Sequence, residues 1–207
     1  MPRPTRIPLF PLDTVLLPGM QMPLHIFEPR YKTMIGRCLD EKIEFGLILA
    51  ASKAIATLGC TAEITQRMKD YPDGRIDILT EGRAVFRLTE LIDEKPYYEG
   101  LVEYVDDEPW AADAKSSAKL IEAFEQCHVL LFGRAWVDAG STTSAILSYQ
   151  MAGTLPIEVA KRQALLEMRS EGDRRAVVER WMTDFLPKLI QVQQAKKRAG
   201  GNGHGLN

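Results

Sequence analysis

Cysteine is scarce in this chain: Cys38, Cys60 and Cys127 are the only three among 207 residues. They are odd in number, far apart and never in a Cys-x-x-Cys pair, which leaves no disulfide framework and no zinc ribbon to be read. No glycine is followed by lysine, so the phosphate-cradling GxxxxGK[ST] loop is impossible. GxSxG, HExxH and a glycine-rich dinucleotide fingerprint are missing as well. No uninterrupted apolar stretch approaches the roughly 20 residues of a membrane span. Arg3 and Arg6 precede an apolar run as in a secretory leader, but Pro8, Pro11, Asp13 and Pro18 break that run too often for an h-region. A large charge imbalance is also lacking, with 26 basic against 28 acidic side chains. These absences point to a soluble chain in a reducing cytoplasm, with no cofactor and no metal.

What is present begins at Arg6 and runs to Met34, RIPLFPLDTVLLPGMQMPLHIFEPRYKTM. Four prolines, Pro8, Pro11, Pro18 and Pro23, forbid a long helix there and interrupt any central strand. Between them Ile7 and Leu9, Val15 and Leu17, and Met22, Leu24 and Ile26 alternate as short half-buried strands do. Pro29 suits the first position of a helix, which the spacing carries to about Leu39 with Tyr31, Met34, Ile35 and Cys38 on one face.

Further strands are expected at Ile43–Ala50, buried on both sides, and at Ile55–Gln66, with Gly59 a bulge or kink. Tyr71-Pro72-Asp73-Gly74 is the clearest hairpin turn. Two strands follow, Arg75–Thr80 and Arg83–Leu91, joined through Glu81-Gly82, and Tyr98–Val105 closes the sheet with Tyr98, Val102 and Tyr104 on one face. After Asp106-Asp107-Glu108-Pro109 the period becomes helical. Helices are expected at Ala112–Trp136, from a Ser141 or Thr142 cap to about Ala152, over Ile157–Met168, and from a Ser170 cap onward, where Pro187 predicts a kink. The fold class is therefore α+β: a compact, partly open β-barrel at 1–110 with one early helix, a helical part of about four helices at 111–198, and a disordered tail at 199–207.

The segments IPLFPLDTVLLPGMQMPLHIFEPRY, GCTAEITQ, PDGRIDILTEGRAVFRL and PYYEGLVEYVDDE, in that order, resemble the LON domain, the N-terminal substrate-binding domain of ATP-dependent Lon proteases. The segment PIEVAKRQALLEMRSEGDRRAVVERWM resembles the helices that follow it. The resemblance implies a PUA-like pseudobarrel that engages unfolded or degron-bearing chains, in a stand-alone form without the ATPase or the serine–lysine protease.

No catalytic residue is assigned. Ser116-x-x-Lys119 has the spacing of some serine acyltransferases but no SDN or KTG companion. Cys127 and His128 are adjacent on a helix and so point about 100° apart. His25-x-x-Glu28 offers two metal ligands and no local third. RNA binding is opposed by charge, since residues 1–114 carry 13 basic and 19 acidic side chains while 115–207 carry 13 and 9. The remaining function is polypeptide recognition, in which an extended chain joins a strand edge or apolar groove. Phe27, Glu28, Arg30 and Tyr31, at a strand-to-helix junction, are the candidate contact residues. The partners implied are unfolded or extended polypeptides and a separate protease or chaperone. A hydrolase or peptidase of unrecognised type and an RNA-binding PUA-like domain are the alternatives.

Overall fold

The computed structural model describes residues 3–51, 54–111, 114–136 and 144–201. The chain divides into two compact units, Met1–Glu108 with Ala152–Arg169, and Pro109–Met151 with Ser170–Asn207.

In the first unit the proline-punctuated opening forms β1 (Arg6–Leu12) and β2 (Gln21–Ile26), followed by α1 (Pro29–Glu41). Then come β3 (Phe45–Ala51), β4 (Ala54–Asp70), β5 (Ile76–Ile92) and β6 (Glu99–Tyr104). The strand order is β2-β5-β4-β3-β1-β6, and a β5–β6 pairing closes five of the six into a ring with β2 on its flank. Among the described strands only β1 and β3 pair in parallel; β2 and α1 form the crossover between them. Inside the ring Ile7, Leu9, Ile48, Phe86 and Val102 make one buried cluster, with Tyr98 and Tyr104 packed against it. Small barrels fill their bore by setting large side chains against small ones. Here Gly46 and Gly59 provide the space: a Cβ on Gly59 would stand 2.5 Å from Phe86 Cζ, and one on Gly46 2.7 Å from Leu9 Cδ2.

Several strands differ from their expected form. Burial in β1 is continuous from Ile7 to Phe10 rather than alternating, because Ile7 and Leu9 fill the bore while Phe10 stacks on Tyr31 of α1, ring centroids 4.0 Å apart. Val15, Leu16 and Leu17 are all buried but lie outside any strand. Gly59 itself pairs with Phe86 and Ile48, and the expected irregularity adjoins it: the β3–β4 register shifts between Ile48↔Gly59 and Ala50↔Ile55, while the β4–β5 register shifts at Cys60/Ala62, Ile64/Gln66 and Arg67/Lys69. Glu81-Gly82 is not a turn. β5 runs unbroken through it for 17 residues, pairing β2 with its first half and β6 with its second. The glycine is needed because the Leu17 carbonyl passes so close that a Cβ at Gly82 would lie inside the contact distance of its oxygen. Gly82 N–H donates to Met20 O at 3.0 Å and its carbonyl accepts from Gly19 N–H at 2.8 Å. The Tyr71–Gly74 turn is where the sequence placed it, with Gly74 at φ 78° and its N–H 2.9 Å from Tyr71 O.

Helix α1 starts at Pro29 after Glu28 and buries Tyr31, Met34, Ile35 and Cys38. Each such burial is worth roughly 1.5–3 kcal/mol before the entropy of ordering is subtracted. Lys42, left-handed at φ 52°, ends the helix, its N–H returning to Cys38 O. Helix α4 (Val159–Glu167) also belongs to this unit, and its Gln163 Nε2 donates to Leu58 O of β4 at 3.2 Å.

The second unit holds α2 (Ala114–Phe132), most of α3 (Leu147–Thr154) and α5 (Glu171–Gly201). α2 packs along α5 and buries Leu120, Phe124 and Cys127 together with His128, while Leu131, spaced for the same face, is half-buried. His128 Nδ1 lies 2.9 Å from Arg134 O. Ser170 Oγ accepts the Asp173 N–H at 3.3 Å at the start of α5, which continues through Pro187. The fully buried Glu171 carboxylate receives Arg174 at 2.9 Å and Arg175 at 2.7 Å. Residues 137–143, including the expected Ser141 or Thr142 cap, and 202–207 of the expected tail lie outside the described residues. Among those described, no helix is long and apolar enough to cross a membrane.

Candidate functional site

Strand β2 alternates, burying Met22 and Ile26 and exposing Pro23 and His25. Phe27, the next residue, keeps the outward phase of Pro23 and His25 and so is 58% exposed despite being apolar. Glu28 is the N-cap residue of α1 without a side-chain capping bond. Its carboxylate instead accepts from Arg30 Nε at 2.9 Å. The Arg30 guanidinium lies over the Tyr31 ring, 4.6 Å from its centroid, and that ring is buried against Phe10. Burial pushes the Tyr31 phenol up from its usual pKa, opposed in part by Arg30. The four sequence-derived residues thus occupy one junction but two depths: Phe27, Glu28 and Arg30 are at the surface and Tyr31 is beneath them.

Three residues beyond these four, His25, Tyr71 and Asp77, join this junction. His25 sits opposite Asp77 of β5, its Nδ1 2.5 Å from Oδ1, and Tyr71 OH donates to Asp77 Oδ2 at 2.8 Å. The bonds from His25 and then Tyr71 hold the Asp77 carboxyl below its ordinary range. His25 stacks toward Phe27 at 6.0 Å and meets Tyr71 edge-on at 5.6 Å. Lys69 and Arg75 stand over the Tyr71 ring at 4.5 and 4.9 Å. Asp77 looks like any alternating polar residue in the sequence; only the β2–β5 register reveals its partner.

A trough runs on from this junction between α1 and the far half of β4. One cavity of about 360 Å³ is bounded by Lys32, Ile35, Gly36 and Leu39 on the helix and by Arg67 and Asp70 on the strand. Another of about 410 Å³ adjoins Leu39, Lys42 and Glu44 on one side and Glu63 and Ile64 on the other.

The reactive groups are placed elsewhere. Burial raises the Cys38 thiol to about 12 and the Cys60 thiol higher still, which suppresses thiolate chemistry. His25 is engaged with Asp77 and Glu28 with Arg30, so the His25–Glu28 spacing does not form a ligand pair. Among the described residues no three of His, Cys, Asp and Glu gather as a metal site.

Residues 6–184 match the family model described as the ATP-dependent protease La (LON) substrate-binding domain. The chain is 26% identical over 207 aligned residues to the Lon protease of Escherichia coli strain K12, covering 91% of this chain and 26% of that protein. With the Lon protease of Parabacteroides distasonis it shares 27% identity over 137 residues, 61% of this chain and 16% of the relative. The chain therefore spans about a quarter or less of these relatives. Its fold is shared with the crystal structure of a Lon N-terminal domain protein from Xanthomonas campestris, at 24% identity and a TM-score of 0.68, covering 86% of this chain and 99% of that one. The N-terminal domain of the Mycobacterium avium complex Lon protease aligns with a TM-score of 0.62 at 17% identity, over 86% and 98% of the two chains. The pseudobarrel, the helices that follow it and the family match over residues 6–184 agree: this chain belongs to the LON substrate-binding domain family.

Proposed function

We propose that the chain is a non-catalytic polypeptide-recognition module that binds unfolded or degron-bearing chains and presents them to a separate protease or chaperone. One observation carries the reading: an exposed phenylalanine, Phe27, stands at the start of α1 between a hydrogen-bonded aromatic cluster and the Glu28–Arg30 pair. A large apolar side chain with charged and aromatic groups around it suits an unfolded polypeptide, which offers apolar side chains and unpaired backbone together. In this role Phe27 gives apolar contact, Glu28 and Arg30 pair with charges or orient the bound backbone, and Tyr31 supports the Arg30 guanidinium from below. The family's substrate-binding description supports the same reading.

The test is a titration with reduced, carboxymethylated α-lactalbumin, a permanently unfolded chain, on the wild type, Phe27→Ser and Arg30→Ala. The expected result is wild-type binding that Phe27→Ser weakens about tenfold, in line with the loss of one buried phenylalanine contact. Binding should change little between low and moderate salt. Capture of RNA with a steep salt dependence, or cleavage of the lactalbumin without ATP, would replace this reading with a nucleic-acid or hydrolase function.

A further inference from the structure

We infer that the trough between α1 and β4 receives an extended polypeptide segment as an added strand along the outer edge of β4. This rests on the polypeptide-binding reading above and gives it a place and a mode. The backbone supplies the first reason. β3 stops pairing with β4 at Phe45↔Ala62, and beyond that point Glu63–Asp70 pairs only with β5. Among the described residues, the other edge of this stretch has no backbone partner. A free strand edge is a row of donors and acceptors at the spacing of another extended chain.

The second reason is Gly36. It lies inside α1, lines the trough, and has nothing within 4 Å of where a Cβ would be. Glycine weakens a helix interior relative to alanine, and no close packing accounts for it here. Its effect is to keep the helix wall bare opposite the strand edge, so that a backbone can lie between them. Leu39 borders both cavities and makes the trough continuous.

The shape and charge select the occupant. The α1 wall obstructs the approach of a second sheet, and the register shifts at Ile64/Gln66 and Arg67/Lys69 twist the edge in a way that discourages sheet-to-sheet pairing. A single flexible segment can follow the twist. Apolar Ile35, Leu39 and Ile64 line the middle. At one end Arg67 pairs with Asp70 and Arg75 with Asp73, which leaves Lys32 and Asp40 outside any ion pair among the described residues; at the other Glu63 pairs with Arg83, which leaves Lys42 and Glu44. Lys32 Nζ donates to a backbone carbonyl, Asp73 O, at 3.0 Å. The segment that fits is apolar in its middle and acidic where it meets Lys32.

The experiment uses the full chain and an eight-residue peptide of alternating valine and threonine, with aspartate at one end and lysine at the other, made in both orders. Each peptide is also made with alternate amides N-methylated in either phase. Expected are binding of one order, slowed amide exchange confined largely to Glu63–Asp70, at least a tenfold loss on methylation in one phase, and a similar loss in a folded Gly36→Leu variant. Equal binding of the unmethylated and both methylated peptides, or binding of unfolded lactalbumin without slowed amide exchange over Glu63–Asp70, would overturn strand addition and leave the polypeptide reading standing. If no unfolded chain or peptide binds the wild type, both fall. The methylated peptides decide the matter even where Gly36→Leu does not fold.

Discussion

Arg37 of α1 donates through Nη1 to the buried carboxylate of Glu99 in β6 at 2.8 Å, tying the helix to the barrel wall across 62 positions of sequence. Arg6 and Lys95 complete the shell at 2.7 and 2.9 Å. Burial alone would raise the Glu99 carboxyl, but the hydrogen bonds from Lys95, Arg6 and Arg37 outweigh it and hold the group at about 2. A carboxyl lowered on folding stabilises above its unfolded pKa, near 4.5, and that contribution disappears as pH falls through about 2. The unfolding free energy from urea titrations should therefore decline between pH 5 and 2 by up to ~3 kcal/mol, less to the extent that water screens the half-exposed cations. In Glu99→Gln that part of the decline should vanish, with a lower plateau at neutral pH.

Gly82→Ala tests the bend of β5. The Leu17 carbonyl that a methyl would strike belongs to backbone fixed by the Gly19–Gly82 and Gly82–Met20 bonds, so neither side yields cheaply. A loss of about 3 kcal/mol or more, or failure to fold, is the expected outcome by thermal and urea unfolding.

Gly36→Ala should do the opposite. With nothing within 4 Å of the new methyl, only helix propensity changes, and the chain should gain about 1 kcal/mol. An unchanged or lowered unfolding midpoint would mean that the wall of the trough is not as open as it looks.

Phe27 and Tyr31 should separate cleanly. Removing the exposed ring in Phe27→Ser should alter stability by no more than about 0.5 kcal/mol while weakening unfolded-chain binding. Tyr31→Ala leaves a hole beside Phe10 and should cost about 3–5 kcal/mol. If Tyr31→Ala unfolds at the wild-type midpoint, the assignment of its ring to the interior is wrong.

The sequence made some of this legible and hid the rest for identifiable reasons. Helix α1 could be read to the residue on its buried face because Pro29 marks its start and Tyr31, Met34, Ile35 and Cys38 recur at helical spacing. β3 could be read because a strand covered on both sides is a plain apolar run. Glu81-Gly82 misled because a glycine that permits close backbone approach looks the same in sequence as one that permits a turn. Glu99 gave no sign of burial: its neutralising partners come from β1, α1 and the segment before β6, and only the fold gathers them. At the candidate site, Phe27, Glu28, Arg30 and Tyr31 could be placed at a strand-to-helix junction, but the sequence left the depth of Phe27 and Tyr31 open, and Asp77 and the open edge of β4 depend on strand register, which the periodicity of one strand does not contain.

The first unit closes only when residues 152–169 rejoin it, after the chain has departed at Glu108 and formed the helical excursion of 109–151. On a ribosome, which releases the chain from its N-terminus, all six strands therefore emerge before α4 exists. Throughout that interval the Leu58 carbonyl lacks the Gln163 amide that meets it in the finished fold. The order of synthesis thus makes 152–169 the last part of the first unit to arrive, after its ring of strands can already have closed. Ribosome-bound intermediates shorter than this point hold every strand of the sheet and still lack one of its coverings, leaving them the most exposed to proteolysis of any stage after the strands are complete.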